Sequence, residues 1–400
     1  MNVDPRLPLP PERVGARAWW IAVVAGLTAF DPSAGLTIAP IIAVAVILTG
    51  QPLRLRIDAP LLLMCGLVGW ILLSSLWAID PVLSTSARVW LPLLVVFIAT
   101  RDAIRSISQL RAVSIGFLTG AFLGVILLIV TNWDAIQTGA AGRLTLDGVN
   151  ANYLAYALVT GLAFIPLLWV TKERTVRIRV GLVLGAVAIV VGTYLTGTRG
   201  ALVGVVALLL WLVACRTAIK PPLKLLVVGV AAIAVMIVTG AIDQMAHLLD
   251  FGSRSTGTLT GRTPLWENAR AIWSENFWFG GGAWASRATA GVDAHNVILE
   301  FGSALGVVGV VIFVLLVWAS LRLNRSATNT QTLILGGFIA VIAAPYLSGA
   351  WETSPAAWIA LASFAQLQVL RGSFEPPRTA PKRARSAAPA RRSRSTESSF

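Results

Sequence analysis

The chain has 400 residues, 56% of them hydrophobic and only 12% charged, about half the roughly 25% charged share of a soluble globular domain. That composition excludes a soluble globular domain and leaves an integral membrane protein. The formal net charge of +14 comes from 32 Lys and Arg against 18 Asp and Glu, so the position of the cations relative to the apolar runs becomes the next question.

In chain order, apolar runs at about 18–31, 35–50, 59–79, 87–100, 110–131, 150–171, 179–196, 199–215, 223–241, 294–320, 331–350 and 355–371 predict an all-α membrane protein. About twelve transmembrane helices are expected, since a bilayer crossing needs about 20 residues, or fewer for short spans. Arg13 and Arg17 precede "AWWIAVVAGLTAF" as they would in a signal peptide, but no clear small-x-small cleavage site follows, and the run reads as a retained first helix. The expected organisation is 1–241 for helices one to nine, 242–293 for one large extracytoplasmic loop carrying a short amphipathic helix, 294–371 for the last three helices, and 372–400 for a tail.

Lys and Arg orient the bundle. With a cytoplasmic N-terminus, the cytoplasmic segments take most of the basic residues, among them Arg13, Arg17, Arg54, Arg56, Arg101, Arg105, Lys172, Arg174, Arg322 and those of the tail. The opposite face keeps only Arg88, Arg143, Arg199, Arg254, Arg262, Arg270 and Arg287, and both termini are expected in the cytoplasm. The tail "RTAPKRARSAAPARRSRSTESSF" is basic and rich in Ala, Pro and Ser, a composition that cannot bury a core and reads as disordered. Its expected partner is anionic lipid head groups, with no nucleic acid implied. Cys65 and Cys215 lie in apolar spans and suggest neither a disulfide nor a zinc site.

The loop of about 50 residues between Ile242 and Val292 is too long for a mere connection. Within "GRTPLWENARAIWSENFWFGGGAW", Thr263 as N-cap and Pro264 as first residue predict a helix to about Asn276, with Trp266, Ala269, Trp273 and Phe277 on one face. That face could lie on the membrane surface or pack on the bundle. Gly280, Gly281 and Gly282 read as a flexible turn, and they do not match a nucleotide-binding glycine motif. His247 reads as ordinary loop surface. Within the spans, Gly116, Gly120 and Gly124, Gly181 with Gly185, Gly200 with Gly204, and Gly302 with Gly306 sit at four-residue spacing, which lets helix backbones approach closely.

Ionisable residues at span edges gather on the outer side: Arg88, Arg199 and Glu300, with Arg143, Arg262, Asp293, His295 and Glu352 just beyond. A transporter would more often bury carboxylates near the midplane, so chemistry belongs on the outer rim. Arg199, in the turn "TYLTGTRGALVG", is either an arginine reaching back to the interface or a forked donor for phosphate in space cleared by Gly197 and Gly200. His295, in "AGVDAHNVILEFGSALGVVG", is either a polar residue hydrogen-bonded at a helix start or a general base that Asp293 could orient. No GxSxG, HExxH, P-loop or DxD is present, so a donor activated elsewhere, such as a glycan on a lipid pyrophosphate, suits an outer site.

"TGTRGALVGVVALLL", "GRTPLWENARAIW", the glycine run and "AHNVILEFGSALGVVGVVIFVLL" occur in the order found in the O-antigen ligase family, which the stretch from Asn150 to Leu321 resembles. "SSLWAIDP" and "GRLTLDGVNANYLAYAL" extend the likeness into the first half. The resemblance implies a bacterial inner-membrane glycosyltransferase with its active site facing the periplasm. Such an enzyme moves a glycan from undecaprenyl pyrophosphate to a glycolipid or glycan acceptor, with inversion and with neither metal nor nucleotide cofactor. Polysaccharide polymerases and protein oligosaccharyltransferases of the same family are the alternatives, and a lipid or polysaccharide transporter is the alternative from another class. By the same resemblance Arg199 and Arg262 hold the pyrophosphate and His295 takes the acceptor proton. Asp293, Asn296, Glu300, Arg143 and Arg88 are supporting candidates, placed by proximity.

Overall fold

A computed structural model of the chain describes residues 14–48, 56–80, 82–138, 143–171, 175–215, 262–322 and 329–370. The span expected at 223–241, the first part of the long loop with His247 and Arg254, and the tail at 372–400 lie outside the described residues. In chain order the helices are α1 (Ala16–Phe30), α2 (Pro32–Leu48), α3 (Ala59–Ser74), α4 (Leu83–Ala103), α5 (Ile107–Thr131), the short α6 (Trp133–Gln137), α7 (Ala151–Thr171), α8 (Val176–Leu195) and α9 (Arg199–Ala214). There follow α10 (Arg262–Glu275), α11 (Ala285–Ala290), α12 (Val297–Leu321), α13 (Asn329–Ser348), a single 3-10 turn (Trp351–Thr353) and α14 (Pro355–Val369). Among the described residues α4, α5, α7, α8, α12 and α13 are long and apolar enough to cross a membrane, and α1, α2, α3 and α9 are shorter apolar helices. The molecule is an all-α, multi-pass membrane protein whose apolar helices match the expected runs to within a few residues at most ends.

The two ends of the bundle differ chemically. At one end Arg101 on α4 forks onto Asp58, the residue that caps α3, through contacts of 2.8 and 2.6 Å. Asp102 beside it accepts from Arg17 at 2.7 Å and from Arg105, and Gln366 on α14 donates to the Arg101 carbonyl at 2.9 Å. These bonds tie the entry of α1 to α3, α4 and α14. The other end gathers the starts of α7, α9, α12 and α14 with the helices α10 and α11.

Between the ends, small residues set the spacing. A Cβ added at Gly116 would lie 2.1 Å from the Ala22 carbonyl oxygen, and one at Gly120 only 1.8 Å from that of Gly26, so α5 and α1 are in main-chain contact. Gly200 and Gly204 bring α9 onto α13, where an added Cβ would lie 2.0 Å from the Ser348 hydroxyl and 3.0 Å from the Val341 carbonyl oxygen. Gly181 and Gly185 are a correction to the expected pattern, since an added Cβ at either meets nothing within 4 Å among the described residues. They lie on α8, a rim helix whose Val180, Val183, Leu184 and Val187 are exposed for lipid. In the centre, Phe338 of α13 stacks on Phe364 of α14 at 4.0 Å, and Phe364, Phe164 of α7 and Phe117 of α5 continue the column at 4.9 Å steps.

The glycine run at 280–282 also departs from expectation, being a fixed brace and not a loose turn. Helix α12 breaks at Gly306, whose φ of 66° and ψ of −166° belong to glycine alone. The break would strand the carbonyls of Ser303, Ala304 and Leu305 and the N–H groups of Val307 and Val308. Each has a partner from outside the helix. Gly281 N–H donates to Ser303 at 2.7 Å and Gly282 N–H to Ala304 at 3.0 Å, while Val307 and Val308 donate to Phe277 and Trp278 at 2.9 and 3.3 Å. The Trp70 indole donates to the Leu305 carbonyl at 3.2 Å. Positive φ at Gly280 and Gly282 lets the strip lie this close, because a Cβ at Gly280 would stand 2.4 Å from the Ala304 backbone.

Two glycine-to-alanine changes therefore part company. Gly306→Ala places a Cβ 2.3 Å from the Trp278 carbonyl oxygen in a backbone region closed to alanine, and unfolding in detergent is expected to show a loss of about 3 kcal/mol or more. Gly181→Ala, with open space around it, is expected to leave stability unchanged or to raise it by up to about 1 kcal/mol.

Candidate functional site

The segment before α12 is fixed at almost every polar atom. Asn296 is the N-cap, its side-chain oxygen accepting from Ile298 and Leu299 N–H at 3.1 and 3.2 Å, while its amide donates to the Leu347 carbonyl at 3.3 Å. Glu300, one turn into the helix, reaches back to accept from Ala294 N–H at 2.8 Å. The Ala294 carbonyl accepts from the Trp266 indole at 3.0 Å. Between these anchors His295 takes a left-handed φ of 54°, a conformation in which histidine is one of the better-tolerated residue types. Of the roles foreseen for Asn296 and Glu300, what the geometry displays is bracing of the main chain on either side of the imidazole.

Helix α10 supplies Arg262. The two placements open for its aromatic face resolve in favour of the bundle: Trp266, Ala269 and Trp273 pack with Ala294 and Leu299, and the Trp273 ring lies over Gly302. Phe277 does not share that burial, since it stands beyond the helix end at Glu275 and is exposed. The helix begins at Arg262, so Thr263 is within its first turn and not the cap. Pro264 is accommodated there because first-turn N–H groups have no helical acceptor. This docking sets Arg262 close enough to His295 to act on it electrostatically and against the hydroxyl of Tyr156.

Tyr156 marks where the third element enters. Its hydroxyl donates to the Ser348 carbonyl at 2.8 Å and lies 3.0 Å from the Ser348 hydroxyl, and a Cβ added at Gly200 would be 3.3 Å from it. Gly200 thus makes room for Tyr156 and Ser348, which corrects the idea that it clears space for a guanidinium. Arg199, half-buried, opens α9 directly beside this contact, and among the described residues no hydrogen bond or ion pair occupies its guanidinium. Arg143 braces the same turn, donating to the Thr196 carbonyl at 3.2 Å, to the Thr198 hydroxyl at 2.9 Å and to Asn152. The structure thus brings Arg262, His295, Asn296, Tyr156 and the turn of Arg143 and Arg199 to one end of the bundle. Arg88 stands apart, exposed on α4, whose inward residues are Ser86 and Trp90; Arg270 and Arg287 are also exposed.

The electrostatics divide the site. Burial, followed by the nearby charge of Arg262, lowers the His295 pKa below its ordinary 6.5, while Asp293 works in the opposite sense. An imidazole so placed is neutral at neutral pH and able to accept a proton. Asp293 links His295 to two buried acids, its charge acting on His295, Glu300 and Glu352. Among the described residues no three His, Cys, Asp or Glu side chains converge as a metal-holding set. Tyr156 and Ser348 escaped the sequence reading. Tyr153 and Tyr156 are two of only four tyrosines in the chain, placed one turn apart at the start of an apolar helix, and that was the available signal.

A family model described as O-antigen ligase matches residues 184–314, a stretch that holds Arg199, Arg262 and His295. The match covers about a third of the chain and makes that stretch similar to the O-antigen ligase family. No curated protein matches the chain.

The cap is testable apart from any activity. Asn296→Ala removes the acceptor for two N–H groups and is expected to lower stability by about 1 kcal/mol, whereas Asn296→Ser, which keeps a capping oxygen, is expected to lose less; chemical denaturation of the purified protein measures both.

Proposed function

We propose that this protein transfers a glycan from undecaprenyl pyrophosphate to a hydroxyl of an acceptor, lipid A-core or a similar glycolipid, at the periplasmic face of the bacterial inner membrane. The observation that supports this reading best is the approach of Arg262 to His295 beside the turn of Arg199, at the end of the bundle away from the Arg101–Asp58 pair. In that orientation the ion-pair end is cytoplasmic, as are both termini, in keeping with the Lys and Arg bias of the connecting segments.

In this mechanism His295 accepts the proton of the acceptor hydroxyl as its oxygen attacks the anomeric carbon from the face opposite the diphosphate. The new carbon–oxygen bond forms as the bond to the phosphate oxygen breaks, which inverts the configuration. The electron pair leaves on the diphosphate, and Arg199 and Arg262 hold the charge that grows there. Forked guanidinium donors suit this task because they bind two phosphate oxygens at once and remain charged at every working pH. With two arginines on the leaving group, no metal or nucleotide is required. His295 finally gives its proton to water. Asp293 tunes the base without touching substrate.

Replacement of His295 by Ala or by Gln is expected to lower glycan transfer by about 10²- to 10⁴-fold while the protein stays folded in the membrane. Arg199→Lys is expected to lose roughly a hundredfold despite the retained charge; wild-type turnover in a lipid-linked glycan assay would instead mean that Arg199 only reaches for the interface.

The pH dependence has a definite sign. Since the base must be unprotonated and burial lowers its pKa, kcat/KM is expected to rise with pH and level off at an inflection below about 6.5. Asp293→Asn removes the influence that raises the pKa, so its inflection is expected at still lower pH; a shift to higher pH would contradict the arrangement.

A further inference from the structure

Behind the His295 segment lies a small cavity of about 30 Å³, bounded in part by Ile71, Trp90, Trp284, Phe301, Glu300 and Glu352. That is room for an ordered water, which needs about 10–15 Å³ measured in this way and two to four polar partners. Both carboxyls are deeply buried, Glu300 being 7% and Glu352 2% exposed. Among the described residues neither makes an ion pair, and Arg287, the cation nearest in its effect on Glu300, is exposed.

The two acids differ in their partners. Glu300 Oε2 accepts a hydrogen bond from Ala294 N–H at 2.8 Å, and an N–H donor of that kind favours the ionised carboxylate. Glu352 Oε2 is buried with no hydrogen-bond partner among the described residues, which an ionised oxygen could not sustain, and the one backbone donor acting on this carboxyl is its own N–H. Burial first, then the charge of Glu300, hold Glu352 well above the ordinary carboxylate range. The other titratable groups facing the pair are Asp293, which acts on both, and Tyr153 of α7 and Tyr346 of α13, which face Glu352. None is a cation at neutral pH.

We infer that Glu300 and Glu352 form an acid pair holding one proton, carried by Glu352 and donated through a water in the cavity to ionised Glu300. The pair is a proton-binding site apart from the arginine face. It also gives Glu352 a role as a positioning residue, because a Glu300 that receives this bond keeps its other oxygen on Ala294 N–H, next to His295. This last step rests on the function proposed above; the proton site does not.

Infrared spectroscopy of the purified protein near neutral pH tests the site without any substrate. The wild type is expected to show the carbonyl stretch of a neutral buried carboxylic acid, lost in Glu352→Gln and kept in Glu300→Gln. Absence of the band from the wild type overturns the inference, as does a band that survives Glu352→Gln and disappears in Glu300→Gln. Glycan transfer tests the positioning role: Glu352→Gln, whose amide still donates, is expected to sustain at least about tenfold more turnover than Glu352→Leu. The wild type is also expected to lose transfer on the alkaline side as Glu352 ionises, a limb that Glu352→Gln lacks; equal turnover in both variants, or identical alkaline limbs, contradicts that role. If the band behaves as expected and the wild type transfers no glycan under any condition, the proposed function fails and the proton site stands.

Discussion

A main-chain N–H or C=O inside a bilayer has no water to bond, and the break of α12 at Gly306 frees such groups some 14 Å along the helix from its start. Leaving them unpaired would cost several kcal/mol each. The strip from Phe277 to Gly282 and the Trp70 indole take up the five polar groups at the break. Two consequences follow for the site. The first turns of α12, which carry Asn296 and Glu300, are fixed relative to α10 and α3 as one block, and the loop that brings Arg262 is stitched to the same block. Arg262 and His295, the phosphate-binding arginine and base of the proposed mechanism, are thereby kept in register by main-chain bonds.

Charge at this end is sorted by side. Arg262 acts on His295 from one side and Asp293 in the opposite sense, and Asp293, Glu300 and Glu352 are progressively more buried. Such an order suits a reaction in which negative charge grows on a leaving diphosphate, since arginines stabilise that charge and buried acids without a cation would repel it. At the far end Arg101, Asp58, Asp102 and Arg17 form bonds among themselves.

Much of the architecture was legible because a bilayer enforces it. Apolar run length fixes helix length, and the α5 glycines at four-residue spacing face Ala22 and Gly26 as their period implies. The same period misled on α8, since Gly181 and Gly185 lie on a lipid-facing surface; spacing records which residues share a face and not what covers it. The glycine triplet was misjudged for a related reason. Its role depends on a partner 20-odd residues away with a broken helix, and neither the break at Gly306 nor the donors that repair it leave a local mark in the sequence. His295 and Arg199 became candidates because a titratable or forked side chain at the edge of an apolar run is conspicuous, and Arg262, in the loop, through the family resemblance. Tyr156 was not, because a tyrosine near a helix start is ordinary until Ser348, 192 residues on, is seen beside it.

The central claim is that Arg199 and Arg262 grip one diphosphate within reach of His295. A structure of the protein with undecaprenyl diphosphate bound tests it most directly. The account expects the diphosphate between the two guanidiniums, each within hydrogen-bonding distance, with the His295 ring opening on the space next to the leaving oxygen. A diphosphate seated elsewhere, or one held with either arginine turned away from it, would contradict the account.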